Sequence, residues 1–202
     1  MARLRTFIAV ELSERIRSAC LDLQLSLTLP GAPVKWVSED NFHITLLFLG
    51  EVNELDLVAI CRSTQKSLAK QKSFQITVGG LGCFPTPRRP KVLWAGVSEG
   101  QEQLAKLHAK LEAPLMEIGC YRREERNYTP HLTLGRIEPV EAETEAPRIT
   151  GEKAEEISWP QIIRDHEEWK AGYCDVNEVL VMTSELRRSG PVYSVVARTP
   201  LG

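Results

Sequence analysis

No apolar run in this 202-residue chain approaches the roughly 20 residues of a membrane-spanning helix. The first residues, Met1-Ala2-Arg3-Leu4-Arg5-Thr6, run straight into a strand pattern and lack the long apolar region of a signal peptide. Paired cysteines are also missing. Cys20, Cys61, Cys83, Cys120 and Cys174 are an odd number, widely scattered, with no C-x-x-C spacing, which argues against a disulfide framework. They read as reduced, half-buried thiols, so the protein is expected in a reducing compartment, the cytoplasm. There is no excess of positive charge: the net charge is −2, without the global basic field of duplex-binding proteins. A nucleic-acid partner is therefore expected to be a short end. The glycines of Gly79-Gly80-Leu81-Gly82 are not followed by a helix pattern, so the nucleotide-loop fingerprint fails.

What the chain does have is a short motif used twice. His43-Ile44-Thr45-Leu46 returns as His131-Leu132-Thr133-Leu134. On a β-strand, side chains alternate between faces. Each copy then presents an imidazole and a hydroxyl on one face and sends two aliphatics into a core. The surroundings repeat as well. Phe7-Ile8-Ala9-Val10 and a helix pattern from Ser13 precede the first copy. Val92-Leu93-Trp94-Ala95-Gly96-Val97 and a helix pattern from about Gln101 precede the second. Both units read strand, helix, connection, His-x-Thr strand, which points to an internal duplication with approximate two-fold symmetry.

The 43% hydrophobic content can fill a real core, and the length suits one domain or two intimately packed halves. Along the chain, Leu4–Glu11 reads as a buried strand and Ser13 as an N-cap. Ile16, Ala19/Cys20, Leu23 and Leu27 recur at helical spacing. Pro30-Gly31-Ala32-Pro33 ends that helix before an extended Val34-Lys35-Trp36-Val37. The first motif strand runs through Leu49. Asn53 is placed to cap a second helix, and Phe74–Val78 alternates as a strand. Gly79 to Pro87 reads as a turn-rich link. Leu104, Leu107, Leu111, Leu115 and Ile118 mark a third helix, which Pro114 is expected to kink or break. Residues 138–156 hold seven glutamates, two prolines and a glycine, and read as an exposed connection. Pro160–Lys170 suits a short helix, and Val176–Thr183 with Val192–Thr199 a last strand pair. The expected organisation is one bilobal domain over 1–202, with units at about 3–84 and 91–137, the acidic connection, and C-terminal strands at about 174–199. Short turns between neighbouring strands predict an α+β fold with mostly antiparallel sheets.

Two imidazoles can divide labour near neutral pH, one taking a proton as the other gives one. Displacement at phosphorus needs that division, and threonine hydroxyls can donate to the non-bridging oxygens. A zinc site would want a third or fourth ligand at suitable spacing. The only other histidines are His108, at the border of a helix face, and His166, in a charged and solvated run.

On these motifs the chain resembles the two-histidine phosphoesterase superfamily. It is most similar there to the RNA 2′,3′-cyclic phosphodiesterases, historically called 2′-5′ RNA ligases. Further matching segments are Arg5–Val10, Lys35-Trp36-Val37, His43–Glu51, Gly82-Cys83-Phe84-Pro85, Val92-Leu93-Trp94 and Pro130–Arg136, with Ser184, Gly190 and Tyr193. Lys35 stands where the family often has arginine. The resemblance implies a two-lobed, pseudo-two-fold fold with helices outside and both motifs in a central groove. It implies hydrolysis of a terminal 2′,3′-cyclic phosphate to a 2′-phosphate, with no metal or other cofactor. His43 would be the proton donor and His131 the acceptor. The two copies are nearly symmetric, so this polarity comes from the resemblance alone. Thr45 and Thr133 would hold phosphate oxygens. Arg136 occupies a family phosphate-binding position, yet strict alternation puts it on the face opposite His131. It reaches the groove only if the strand bulges or ends first; otherwise it is a surface arginine.

Phe7, Trp36, Phe48 and Tyr128 are candidates for stacking on a base, with core packing the stronger role for Phe7 and Phe48. Arg88/Arg89/Lys91, Arg122/Arg123/Arg126 and Arg187/Arg188 are candidates for guiding an RNA end, or simply a solvated face. The expected partners are RNA ends or small cyclic nucleotides bearing a 2′,3′-cyclic phosphate, without a membrane, and the expected state is a monomer. ATP-independent 2′-5′ ligation and a non-catalytic RNA- or nucleotide-binding module remain as alternatives. Turnover of a 2′,3′-cyclic phosphate is expected to survive EDTA. Activity lost to EDTA and restored by one divalent cation would overturn the metal-free reading.

Overall fold

Apolar residues at strand and helix periods assemble here around a single sheet. The computed structural model describes residues 3–29, 33–123, 127–138, 157–188 and 190–202. The expected acidic connection, after Glu138, lies outside the described residues, as does the Pro30-Gly31-Ala32 stop of the first helix. Among the described residues the elements are β1 (Arg3–Glu11), α1 (Glu14–Ser26), β2 (Val34–Trp36), β3 (His43–Asn53), α2 (Leu57–Leu68), β4 (Phe74–Thr86), β5 (Arg89–Glu99), α3 (Gln101–Glu117), β6 (His131–Ile137), α4 (Trp159–Asp165), β7 (Lys170–Val176), β8 (Glu178–Arg187) and β9 (Gly190–Pro200). The fold is α+β, and every strand pairing is antiparallel.

The strand order is β7-β4-β5-β6-β3-β1-β8-β9, with β2 added to β6. The order is two-fold about its centre. β3 and β1 continue into the β8–β9 hairpin on one side, and β6 and β5 continue into β4 and β7 on the other. The halves meet where β3 pairs β6 through Ile44 opposite Leu132. Both residues are essentially buried, at 0% and 1% exposure. The helices cross this seam. α1, which follows β1, packs against β7, and α3, which follows β5, packs against β3. Their apolar stripes, Ile16/Cys20/Leu23 and Leu104/Leu107/Leu111/Leu115, join one continuous core with Ile8, Ile44, Leu132 and Val179.

Several sequence expectations change. Gly79–Thr86 is not a turn but the second half of β4, because β7 pairs with Gly79 and β5 pairs with Leu81 to Thr86; Pro87 alone falls in the turn that follows. Glycine is required there by close approach: a Cβ on Gly82 would lie 2.2 Å from the Trp94 ring. Pro114 does not end α3, which continues to Glu117 with Leu111 and Leu115 both buried around it. Tertiary contact outweighs the single hydrogen bond that proline removes. β3 runs on to Asn53, and a short 3-10 turn, Glu54–Asp56, separates it from α2. Ser13 does hold the N-cap position of α1, but its hydroxyl makes no capping bond. The C-terminal strands begin before residue 174: β7 is an edge strand from Lys170, with Gly172 at positive φ and Asp175 exposed.

One buried polar side chain ties the halves together from below. Gln24 on α1 is 5% exposed. Its amide donates to the carbonyls of Val37 (2.9 Å) and Leu134 (2.8 Å), the latter on β6. Gln24→Leu is expected to destabilise the protein by about 1–3 kcal/mol, since it strands buried carbonyls. The urea unfolding midpoint measures this. An unchanged midpoint would show that these carbonyls find other donors.

Candidate active site at the seam of the two halves

The pairing of Ile44 with Leu132 dictates what lies beside it. In that register His43 neighbours Thr133, and Thr45 neighbours His131. Each motif therefore places its imidazole next to the other motif's hydroxyl. All four are half-buried and line one cavity of about 830 Å³.

Both motif strands carry the same irregularity. In β3, Ala9 faces Thr45 and Ile8 faces Leu47, so Leu46 is an extra residue. In β6, Trp94 faces Thr133 and Leu93 faces Gly135, so Leu134 is the extra residue. A bulge of this kind shifts the alternation by one. Leu46/Leu47 and Leu134/Gly135 are consequently buried in pairs, and Phe48 and Arg136 emerge exposed on the cavity side. Arg136 thus lines the same cavity as His131. The bulge meets the condition that strict alternation had set. Gly135 must be small, because a Cβ there would sit 2.7 Å from the Trp36 ring.

The imidazoles are held alike. His43 Nδ1 lies 2.8 Å from the carbonyl of Asn41, and His131 Nδ1 lies 2.7 Å from that of Thr129. A carbonyl only accepts, so both Nδ1 atoms carry hydrogen. In the neutral ring the lone pair is then at Nε2. At His43, Nε2 is 3.0 Å from Thr45 Oγ1, and the hydroxyl donates to it. When His43 gains a proton, this bond reverses, and the Thr45 hydrogen becomes available to a phosphate oxygen. Burial pushes both histidines below their ordinary pKa. For His43 the neighbouring His131 adds to that lowering, while the carbonyls of Asn41 and Thr129 oppose it on their respective rings.

Aromatic rings frame each histidine. His43 touches Phe7 (4.9 Å between centroids) and Tyr193 (5.3 Å). His131 touches Phe84 (5.0 Å) and Trp94 (6.0 Å). Tyr128 is occupied elsewhere. Its hydroxyl donates to the Thr45 carbonyl across the seam (3.1 Å), and its ring stacks on His108 (4.5 Å). It is a structural tether and not a base-stacking surface. His166 contacts the Ile162 carbonyl at the end of α4, away from the cavity.

The cavity cations are Arg5, Lys35 and Arg136. Arg88, Arg89, Lys91, Arg122, Arg123, Arg187 and Arg188 do not line it, Arg123 contacts Glu112 and Arg187 pairs Glu185; Arg126 lies outside the described residues. Arg5 and Tyr193 were visible in the sequence only as parts of matching segments, without a role. No spacing signal marks them, because they come from β1 and β9. Among the described residues no group of three or more His, Cys, Asp or Glu side chains is arranged to hold a metal ion.

The model of the LigT like phosphoesterase family matches residues 10–94. The RNA 2′,3′-cyclic phosphodiesterase of Methanothermobacter thermautotrophicus is 35% identical over 95% of this chain and 96% of its own length. That of Aquifex aeolicus is 31% identical over 95% of this chain and 90% of its own. A crystal structure from Thermus thermophilus superposes with a TM-score of 0.75 at 27% identity, covering 98% of this chain and 97% of that one. Escherichia coli LigT complexed with 3′-AMP shares the fold, with a TM-score of 0.71 at 24% identity and 99% of both chains covered.

In the free protein, the His43 and His131 ring resonances are expected to titrate with midpoints below 6.5, the ordinary value. These midpoints belong to the coupled pair. Inorganic phosphate should raise at least one of them, because an anion in the cavity favours the imidazolium. His131→Ala should raise the His43 midpoint by removing a repelling charge. NMR titration checks all three. Midpoints at or above 6.5 without phosphate would show that burial does not govern these rings.

Proposed function

Because the chain belongs to the LigT-like phosphoesterase family of RNA 2′,3′-cyclic phosphodiesterases, we propose that it hydrolyses a terminal 2′,3′-cyclic phosphate to a 2′-phosphate by metal-independent acid–base catalysis. The observation that carries this reading is the pair of imidazoles at the seam. Each has Nδ1 tied to a carbonyl two residues upstream, and both line one cavity.

In the proposed reaction, water enters beside His131 and attacks phosphorus. His131 Nε2 takes the water proton as the new P–O bond forms. The P–O3′ bond breaks, and the proton on His43 Nε2 passes to the leaving 3′-oxygen. The products are a 3′-hydroxyl and a 2′-phosphate. Thr45 and Thr133 donate to the non-bridging oxygens, where negative charge accumulates. Arg136 neutralises the phosphate from the cavity wall. Burial lowers both histidine pKa values in the free site, so the anionic substrate raises that of His43 and the ring takes its proton from solvent. Every group in this scheme comes from one chain, which suits a monomer. The five free cysteines suit a reducing compartment; burial raises all their thiol pKa values, that of Cys20 to about 12.

His43→Ala and His131→Ala are each expected to lower kcat by roughly 10²–10⁴-fold. The double variant should lose far less than the product of the two, as groups acting as a unit do. Thr45→Ala or Thr133→Ala should lose on the order of 10–10³-fold, by analogy with one oxyanion donor. The assay is turnover of cytidine 2′,3′-cyclic phosphate with identification of the product isomer. A histidine variant with near-full activity would assign the motif to structure and the chemistry elsewhere.

A further inference from the structure

On the β2–β6 ladder, Lys35 stands directly opposite Arg136. Direct partners on antiparallel strands point to the same face, and like charges so placed repel. Both side chains are exposed, both line the cavity, and neither makes an ion pair among the described residues. Asp40, the acidic residue lining the cavity, is not ion-paired with either. β2 is three residues long and is anchored by Trp36 lying against Gly135. The fold thus holds two cations side by side with no acidic partner among the described residues. A repulsive pair on a groove wall is stabilised when an anion fills the space between the two groups.

We propose that Lys35, beside Arg136, forms a second anion subsite for the phosphodiester that precedes the cyclic phosphate on an RNA strand. The inference rests on the reading given under Proposed function and deepens it: the substrate is an oligonucleotide end and not a mononucleotide. Arg136 is three residues along β6 from Thr133, one of them in the bulge, which is roughly 7–10 Å at the ordinary strand rise. Lys35 stands across the ladder from it at the same level, because β2 takes the edge of β6 that β3 takes at the motifs, opposite β5. The cation pair therefore lies beyond the motifs along one wall, where the phosphate next to the reacting one would come. Arg136 faces the phosphate at the motifs, and Lys35 serves its neighbour across the terminal nucleoside. The third cation, Arg5, belongs to the other half of the sheet and lies over the Phe48 ring at 6.0 Å.

The test compares cytidine 2′,3′-cyclic phosphate with the dinucleotide CpC ending in the same group. The wild-type protein is expected to favour the dinucleotide in kcat/KM on the order of ten-fold, the scale of one charge-assisted contact at a partly solvated site. Lys35→Ala should bring that ratio close to one, and Lys35→Arg should keep it. The dependence of log KM for the dinucleotide on log salt should weaken in Lys35→Ala by about 0.7, the loss of one single-strand phosphate contact. Lys35→Glu provides a readout that loss of fold would not mimic. It turns the repulsive pair into an attractive one, so the thermal midpoint should rise by about 1–4 °C while the dinucleotide preference disappears. A wild-type ratio of one, or an unchanged ratio in Lys35→Ala, overturns the subsite while leaving the phosphodiesterase reading intact. Turnover of neither substrate by the wild-type protein overturns that reading, and the subsite with it.

Discussion

Everything at this site depends on one ladder contact, Ile44 against Leu132. It is the point at which two similar half-sheets join, and it lies on their approximate two-fold axis. Because the pairing is antiparallel and centred between His and Thr in both motifs, it brings each imidazole beside the opposite hydroxyl. One residue of slip would send these side chains to the helix-covered face. Sheet hydrogen bonding at so short a junction is weak by itself. The crossing of α1 and α3 beneath it, Gln24 reaching the Leu134 carbonyl, and Tyr128 reaching the Thr45 carbonyl supply the rest.

The second constraint is charge in a partly dehydrated groove. Burial lowers the pKa of both histidines, and the neighbouring His131 lowers that of His43 further, while among the described residues three cations line the cavity. The arrangement is unfavourable without an anion and complementary to one with it. In the proposed reaction, a phosphate would satisfy the cations and raise the imidazole pKa values, so that substrate binding would prepare the acid.

The legibility of the chain varied with the range of the forces involved. The motif pair, the apolar strand Phe7–Val10 and the helix stripes were readable because periodicity is local. By local pattern Gly79 to Pro87 reads as a turn, since glycine and proline ordinarily punctuate loops. In β4, Gly82 instead admits the Trp94 ring and Gly79 a neighbouring backbone. β7 carries too weak an alternation to stand out as an edge strand. Tyr128 looked available for stacking, and only its partners His108 and Thr45 show that it is spent on the scaffold.

The residue types, their two-residue spacing and their repetition are properties of the sequence by itself. They determined that acid–base groups and hydroxyls share strand faces and that the chain is a duplication, because side-chain alternation needs no tertiary knowledge. Which groups meet across the groove was decided only by tertiary structure. Arg136 turns inward because a bulge at Leu134 shifts the alternation, and that bulge is defined by pairing with β5. Lys35 becomes the neighbour of Arg136 only through the β2–β6 ladder. Arg5 and Tyr193 reach the cavity from strands far apart in sequence. Such neighbours are set by hydrogen-bonded register and core burial between distant segments, and no local pattern in the chain encodes them.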